Sequence, residues 1–316
     1  MILTLCTFVF QSLSIPKGLY FPILRYAMHK LRHLDTVYLY FLHKLKNPRI
    51  TVTDFFTYQS AYESDNSLRW LINDAFREKV ISQPEIFCNV GVSVDLLSTV
   101  DNQLKLLKKC RNDPKTTYAA ALCGAWSFLR VRKGASDLKF ANRVVPSLPG
   151  ITTSHKIKFS EKGKLKDDLY PHGWDEIDWE VYYIMKNPSI SFTEAIRISK
   201  KEGTGLSRKT IKKHFKKILE DCKIQMNFFP WGYGHYDKIL FTFKTKYEIG
   251  LYDSLKKLDR TSYLWKVRDF IILTLFVEHY CKTVRSFKEL EENGLIQNLK
   301  VSIPNRHYSP FEEDFI

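Results

Sequence analysis

The 316-residue chain has no CxxC pair, no glycine-rich phosphate loop, no HExxH and no nucleophile elbow of the Gly-x-Ser-x-Gly kind. These absences remove the commonest zinc-site, nucleotide-hydrolysis, metalloprotease and serine-hydrolase signatures. Cys6, Cys88, Cys110, Cys123, Cys222 and Cys281 are scattered. Such spacing builds no disulfide framework, so reduced thiols in a cytoplasmic setting are expected. The nine histidines are dispersed as well. His29, His33 and His43 fall on or near one helix, but no second cluster completes a metal site. Neither a cofactor nor an enzymatic activity is expected. Long hydrophobic runs are also missing. Residues 1–14, MILTLCTFVFQSLS, are apolar but too short to span a bilayer, and Pro16, Lys17 and Gly18 break the run. They lack the basic start and small-residue cleavage site of an export signal. Residues 1–30 read as an N-terminal apolar extension that packs on the protein or a partner, and no membrane role is expected.

Acid is scarce relative to base: 34 Asp and Glu against 49 Lys and Arg give a net charge of +15. Such a surplus implies a polyanionic partner. A hydrophobic fraction of 44% supports real cores, so wholesale disorder is excluded. The length suits two or more domains.

The charge is concentrated in GLSRKTIKKHFKKILEDCKI, residues 205–224, where Ser207–Lys217 holds six cations and no acid. Ile211, Phe215 and Ile218 keep helical spacing, which puts the lysines on the opposite side. Ser207 is placed to cap this helix. A helical segment, SFTEAIRISKKEG, precedes it through a Gly-containing turn, the order of a helix-turn-helix.

The phrase KNPRITVTDF at 46–55 returns as KNPSISFTEA at 186–195. Thr53 and Thr193 are expected to cap the next helix in each copy. At the same offset Ser67 matches Ser207 and Leu71 matches Ile211, placing a second recognition helix near 67–80. Strand-like, helical and paired strand-like runs then recur: 89–97 with 238–245, 102–110 with 247–258, and 116–131 with 262–277. SDLKFANRVV (136–145) and SFKELEEN (286–293) read as further helices, and 148–159 and 293–303 as closing strands. The chain therefore reads as a duplication. Its expected parts are a winged helix-turn-helix at 31–85, a βαββαβ domain at 86–159 and a charged linker at 160–173. Beyond these come a strongly basic winged helix-turn-helix at 174–235, a second βαββαβ domain at 236–303 and a tail at 304–316. FFPWGYGHYDK (228–238) reads mainly as a cap on the fold through Trp231 and Tyr233.

Residues 174–195, 205–224 and 148–157 (the last following Gly124-Ala125-Trp126) are similar to the leucine-responsive regulatory protein (Lrp)/AsnC family of bacterial and archaeal transcription regulators. The resemblance covers roughly 31–303 and implies an α+β fold. Each repeat would be a winged helix-turn-helix followed by a ferredoxin-like (RAM/ACT-like) effector domain. It implies sequence-specific binding of double-stranded DNA, with Ser207, Arg208, Lys209, Lys212, Lys213 and Lys216 at the DNA. An amino-acid-like effector would sit at Gly124 and Trp126, where Ser127 replaces the expected Asp. It also implies self-association, or an intramolecular pseudo-dimer, through the effector sheets. The first recognition helix carries net +1 against +5 in the second, so the second is expected to be the reader. Two alternatives share the scaffold: a siroheme decarboxylase-like enzyme and a regulator-derived interaction module.

Overall fold

The computed structural model describes residues 20–58, 62, 64–147, 159 and 161–308, with side chains from His33 onward. The apolar stretch at 1–19, nearly all of the expected closing strand at 148–159, and 309–316 of the tail lie outside the described residues.

Helix α1 (Tyr20–Lys46) starts ahead of the first helical unit expected from residue 31, and it buries Val37, Tyr38, Tyr40 and Phe41. Helices α2 (Val52–Tyr58) and α3 (Asp65–Arg77) complete the first helical unit. The expected Thr53 and Thr193 caps are not used. Thr51 Oγ1 accepts from Asp54 N instead, and Ser191 accepts from Glu194 N, two residues earlier in each repeat. A cap must sit in extended backbone just ahead of the first turn, and Thr53 and Thr193 already lie inside their helices. Likewise Ser64, not Ser67, caps α3.

Strands β1 (Glu85–Phe87), β2 (Val92–Leu97), β3 (Thr116–Gly124) and β4 (Phe128–Lys133) come next, with α4 (Gln103–Arg111) between β2 and β3. The expected helix at 136–145 is instead β5, Leu138–Val144. Its partner explains why: β5 pairs antiparallel with the strand Ser262–Val267 of the second half (β8), Phe140 opposite Lys266 and Val144 opposite Ser262. An open strand edge needs a hydrogen-bonding partner, and Leu138, Phe140 and Val144 bury against it.

The second half runs α5 (Glu176–Met185), α6 (Phe192–Lys201), α7 (Arg208–Asp221) and β6 (Lys223–Gln225). It continues with β7 (Asp237–Lys244), α8 (Glu248–Leu255), β8 (Ser262–Val267), β9 (Phe270–Val277), α9 (Tyr280–Glu292) and β10 (Gln297–Tyr308). Its strands lie in the spatial order β10-β7-β9-β8, matching the β-α-β-β-α-β order expected for this half. Strand β10 runs on through Pro304–Tyr308, residues expected in the tail.

All eight long strands form one antiparallel sheet in the order β2-β4-β3-β10-β7-β9-β8-β5. Ser302 of β10 faces Gly124 of β3 on one side and Leu240 of β7 on the other, so one strand joins the halves. At the seam Asp137 N donates to Val92 O (3.1 Å) and Asn89 Nδ2 to Leu138 O (3.0 Å). The sheet thus curls almost into a barrel. Its inner face carries Val92, Val94, Leu122, Leu129, Leu240 and Ile272 from both halves. Helices cover the outer face. Phe287 of α9 stacks on Phe241 at 4.0 Å between ring centroids, and burying one such ring contributes about 1.5–3 kcal/mol.

The helical units are tied together. Strand β1 pairs antiparallel with β6, and Ile86 N donates to Lys186 O at 2.8 Å. The two KNP turns also meet: Arg49 donates to Pro188 O and Ile190 O, and its guanidinium lies 4.2 Å from the Phe192 ring centre. Residues 161–173, expected as a linker, form an ordered strap, with Leu165 buried and Leu165 N donating to Glu248 Oε2 at 2.7 Å.

Candidate functional site

Two places concentrate chemistry. One is the expected basic helix. Ser207 accepts from Thr210 N (3.1 Å) to start α7, and Ile211, Phe215 and Ile218 are buried as the spacing requires. The preceding turn is held by buried Ser199, whose Oγ accepts from Leu206 N and whose carbonyl accepts from Thr204 N. Gly203 and Gly205 take positive φ there (90° and 60°), which costs glycine little. Arg208, Lys209, Lys212, Lys213 and Lys216 are exposed, and among the described residues none meets an acid. Lys217 differs: it pairs with Asp178, a fully buried carboxylate that also binds His214 Nδ1 (2.7 Å) and closes a capping box at Asp175. Burial raises the pKa of Asp178. Lys217, His214 and the Asp175 N–H outweigh it, so the group stays below the ordinary carboxylate value. Lys217 and His214 therefore hold the fold, and the Asp175, Asp178 and His214 cluster is engaged in that network.

The counterpart helix α3 is neutralised from within. Arg69 pairs with Asp65, and Arg77 with Asp74 and Glu78. Trp70 stands 71% exposed beside them.

The second place is a cavity of about 470 Å³ in one end of the near-barrel, which sequence reading missed. Every strand of the large sheet contributes to its wall, and the segment 83–90, Tyr182 of α5, Lys186 just past its end, and Gln225 of β6 close it. The wall is aromatic and aliphatic, including Tyr118, Tyr263, Trp265 and Phe276. Lys133, Arg143, Lys186 and Lys238 also line it, against Glu85 as the one acid among the described residues of the wall. Glu85 is already engaged by Arg143. Burial first and Lys133 second bring the Lys186 ammonium down to about 8, with Glu85 opposing. Behind Tyr118, His307 stacks at 6.3 Å, and burial with nearby Lys238 brings its pKa down to about 4. Gln225 is only 7% exposed, and among the described residues its Nε2 has no hydrogen-bond partner. A buried donor left without an acceptor costs about 1–3 kcal/mol.

The expected effector residues lie elsewhere. Trp126 packs against the inner cluster, donates from Nε1 to Thr242 Oγ1 (2.8 Å) and lies under Lys300, 3.9 Å from its ring centre. At Gly124 a Cβ would come within 2.5 Å of Val301 O, so strand β10 packs directly against this glycine. Neither residue lines the cavity. Its members are contributed a few at a time from eight strands, and no local pattern could have gathered them. The stretch 228–238 caps the fold only in part as expected: Tyr233 packs on Phe229 and Phe276, but Trp231 is 51% exposed, and the buried anchors are Phe228 and Phe229, with Gly232 close against Glu78 O.

The chain is thus an α+β protein in which two joined helical units sit over a near-closed antiparallel sheet with a cation-lined cavity. No family model matches the sequence, and no curated protein matches it. Among solved structures, the siroheme decarboxylase NirDL in co-complex with an iron-uroporphyrin III analogue is similar, with a TM-score of 0.45 at 7% identity. That match covers 78% of this chain and 83% of the other. A second structure of siroheme decarboxylase NirDL matches with a TM-score of 0.47 at 6% identity, over 78% and 82%. Likeness at this level defines no family. Among the described residues, no helix is long and apolar enough to cross a membrane.

Proposed function

We propose that the chain binds an amphipathic, polyanionic small molecule in the cavity of the near-barrel. The observation that carries this reading is the wall itself. Among the described residues it has four cations to one acid alongside aromatic side chains, with the Gln225 Nε2 donor unpartnered among them. A flat apolar body bearing carboxylates answers each of these groups. Aromatic surface stacks on Tyr118 and Trp265, carboxylates pair with the cations, and an acceptor takes the Gln225 N–H. The volume falls within the range of about 300–1,000 Å³ typical of ligand sites. A tetrapyrrole carboxylate has this chemistry, and it is the class of molecule bound in the solved decarboxylase. The test is a titration of the purified chain with an iron uroporphyrin, following its main absorption band and the mass of the recovered pigment. A saturable band shift that Lys186→Ala weakens supports the reading. Recovery of pigment lighter by carbon dioxide adds a decarboxylase activity. No shift at any concentration overturns it.

The exposed cations of α7 favour a second reading, that the chain also binds double-stranded DNA in the manner of an Lrp/AsnC-type regulator. The two readings use separate surfaces and are tested separately.

A further inference from the structure

We infer that Cys88 and Cys222 form a reversible disulfide that pins the C-terminal end of α7 to the chain entering the barrel. The pairing of β1 with β6 places Glu85 opposite Gln225, Ile86 opposite Ile224 and Phe87 opposite Lys223. The next pair in this register is Cys88 and Cys222. Ile86 N donates away from β6, to Lys186 O, so Ile86 and Ile224 are a non-hydrogen-bonded pair. Alternation makes Cys88 and Cys222 the next such pair, and Cys222 N is accordingly spent on Ile218 O. Non-hydrogen-bonded pairs bring α-carbons to about 4.5 Å, within the roughly 4.4–6.8 Å that a disulfide spans. Cys222 is already extended, at φ −112° and ψ 160°. The two thiols share one apolar cluster with Tyr182.

The chemistry is complete with a small-molecule disulfide as oxidant. Cys88 lines the cavity, which gives such a molecule a route to it. The neighbouring Cys222 thiol holds Cys88 below the usual thiol range, and Cys88 together with burial pushes Cys222 up. The Cys88 thiolate attacks the oxidant, expelling one thiolate and leaving a mixed disulfide. Cys222 loses its proton and attacks the Cys88 sulfur, expelling the second thiolate. Two protein thiols are oxidised and one external disulfide is reduced to two thiols. The bond closes a long loop, and its formation requires no ligand in the cavity.

The test treats reduced full-length protein with oxidised glutathione, then blocks remaining thiols, digests and maps the peptides. The expected product has lost two hydrogens, contains the Cys88 and Cys222 peptides cross-linked, and reverts with reductant. Its melting temperature is several degrees above that of the reduced protein. In Cys222→Ser, Cys88 should stop as a stable glutathione adduct. The wild-type map decides the matter even if that variant does not fold. Adducts confined to the exposed Cys123 and Cys281, with Cys88 and Cys222 still reduced, overturn the inference, as does a cross-link that appears only in denaturant.

Discussion

Lys186 is the most informative single side chain in the cavity. Its ammonium is brought down to about 8 by burial and by Lys133, so the surrounding protein groups disfavour the charge that an anionic ligand would recruit. A bound carboxylate raises that pKa, and binding then takes up a proton. Affinity should be full below about pH 8 and fall as pH rises through it. Calorimetric titrations in two buffers of different ionisation enthalpy would show the proton uptake. A pH-independent affinity would argue against this role, and Lys186→Met should abolish the dependence. Gln225 makes the opposite kind of prediction. Replacing it with Leu removes an unpartnered buried donor, so the ligand-free protein should melt at the same temperature or higher. Its ligand should bind about 10-fold more weakly, a loss of about 1.4 kcal/mol. A destabilised Gln225→Leu protein would mean that the amide has a structural partner.

At the scale of elements, α7 separates scaffold from surface. Asp178, Lys217 and His214 secure its packing on α5. Asp178 has a depressed folded-state pKa, so its stabilisation is present above its unfolded value and lost as pH falls through the folded one. Asp178→Ala should cost about 2–3 kcal/mol, read from denaturant unfolding at neutral pH, and should flatten acid unfolding below about pH 4. Arg208→Ala should leave stability unchanged. It should cost DNA affinity about 1–3 kcal/mol at one base position if α7 reads bases. Lys213→Ala should weaken all sequences alike and reduce the salt slope by about 1. DNA binding that survives neutralising Lys209, Lys212, Lys213 and Lys216 together would remove α7 as the reader. These elements were legible because their signals are local: helical spacing at Ile211, Phe215 and Ile218, and a repeated KNP turn. Strand β5 was not, because what makes 138–144 a strand is the edge of β8, more than a hundred residues away. The charge contrast between α3 and α7 was legible as a count. The pairing that cancels Arg69 and Arg77 became visible only with the side chains in place.

The whole molecule is organised by sharing across the repeat. Strand β10 of the second half pairs with β3 of the first, and β5 of the first pairs with β8 of the second. Each half thus lends a strand to the other, which is why the cavity wall draws on both and why no single stretch of sequence announced it. The β1 and β6 ribbon repeats the exchange between the helical units. A molecule built this way should not divide. Urea unfolding followed by far-ultraviolet circular dichroism and by tryptophan fluorescence should give coincident single transitions, with a slope set by the surface of the entire chain. Trp126 and Trp265 report the barrel, and Trp174 and Trp179 the second helical unit, so the fluorescence samples both. Residues 1–147 and 160–316, expressed apart, should each expose an unpaired strand edge and associate or aggregate. Expressed together, they should recover one complex containing one copy of each. Two separated unfolding transitions, or a soluble, monomeric half with native-like spectra, would show that the halves are independent domains and that the shared strands are a minor part of what holds them.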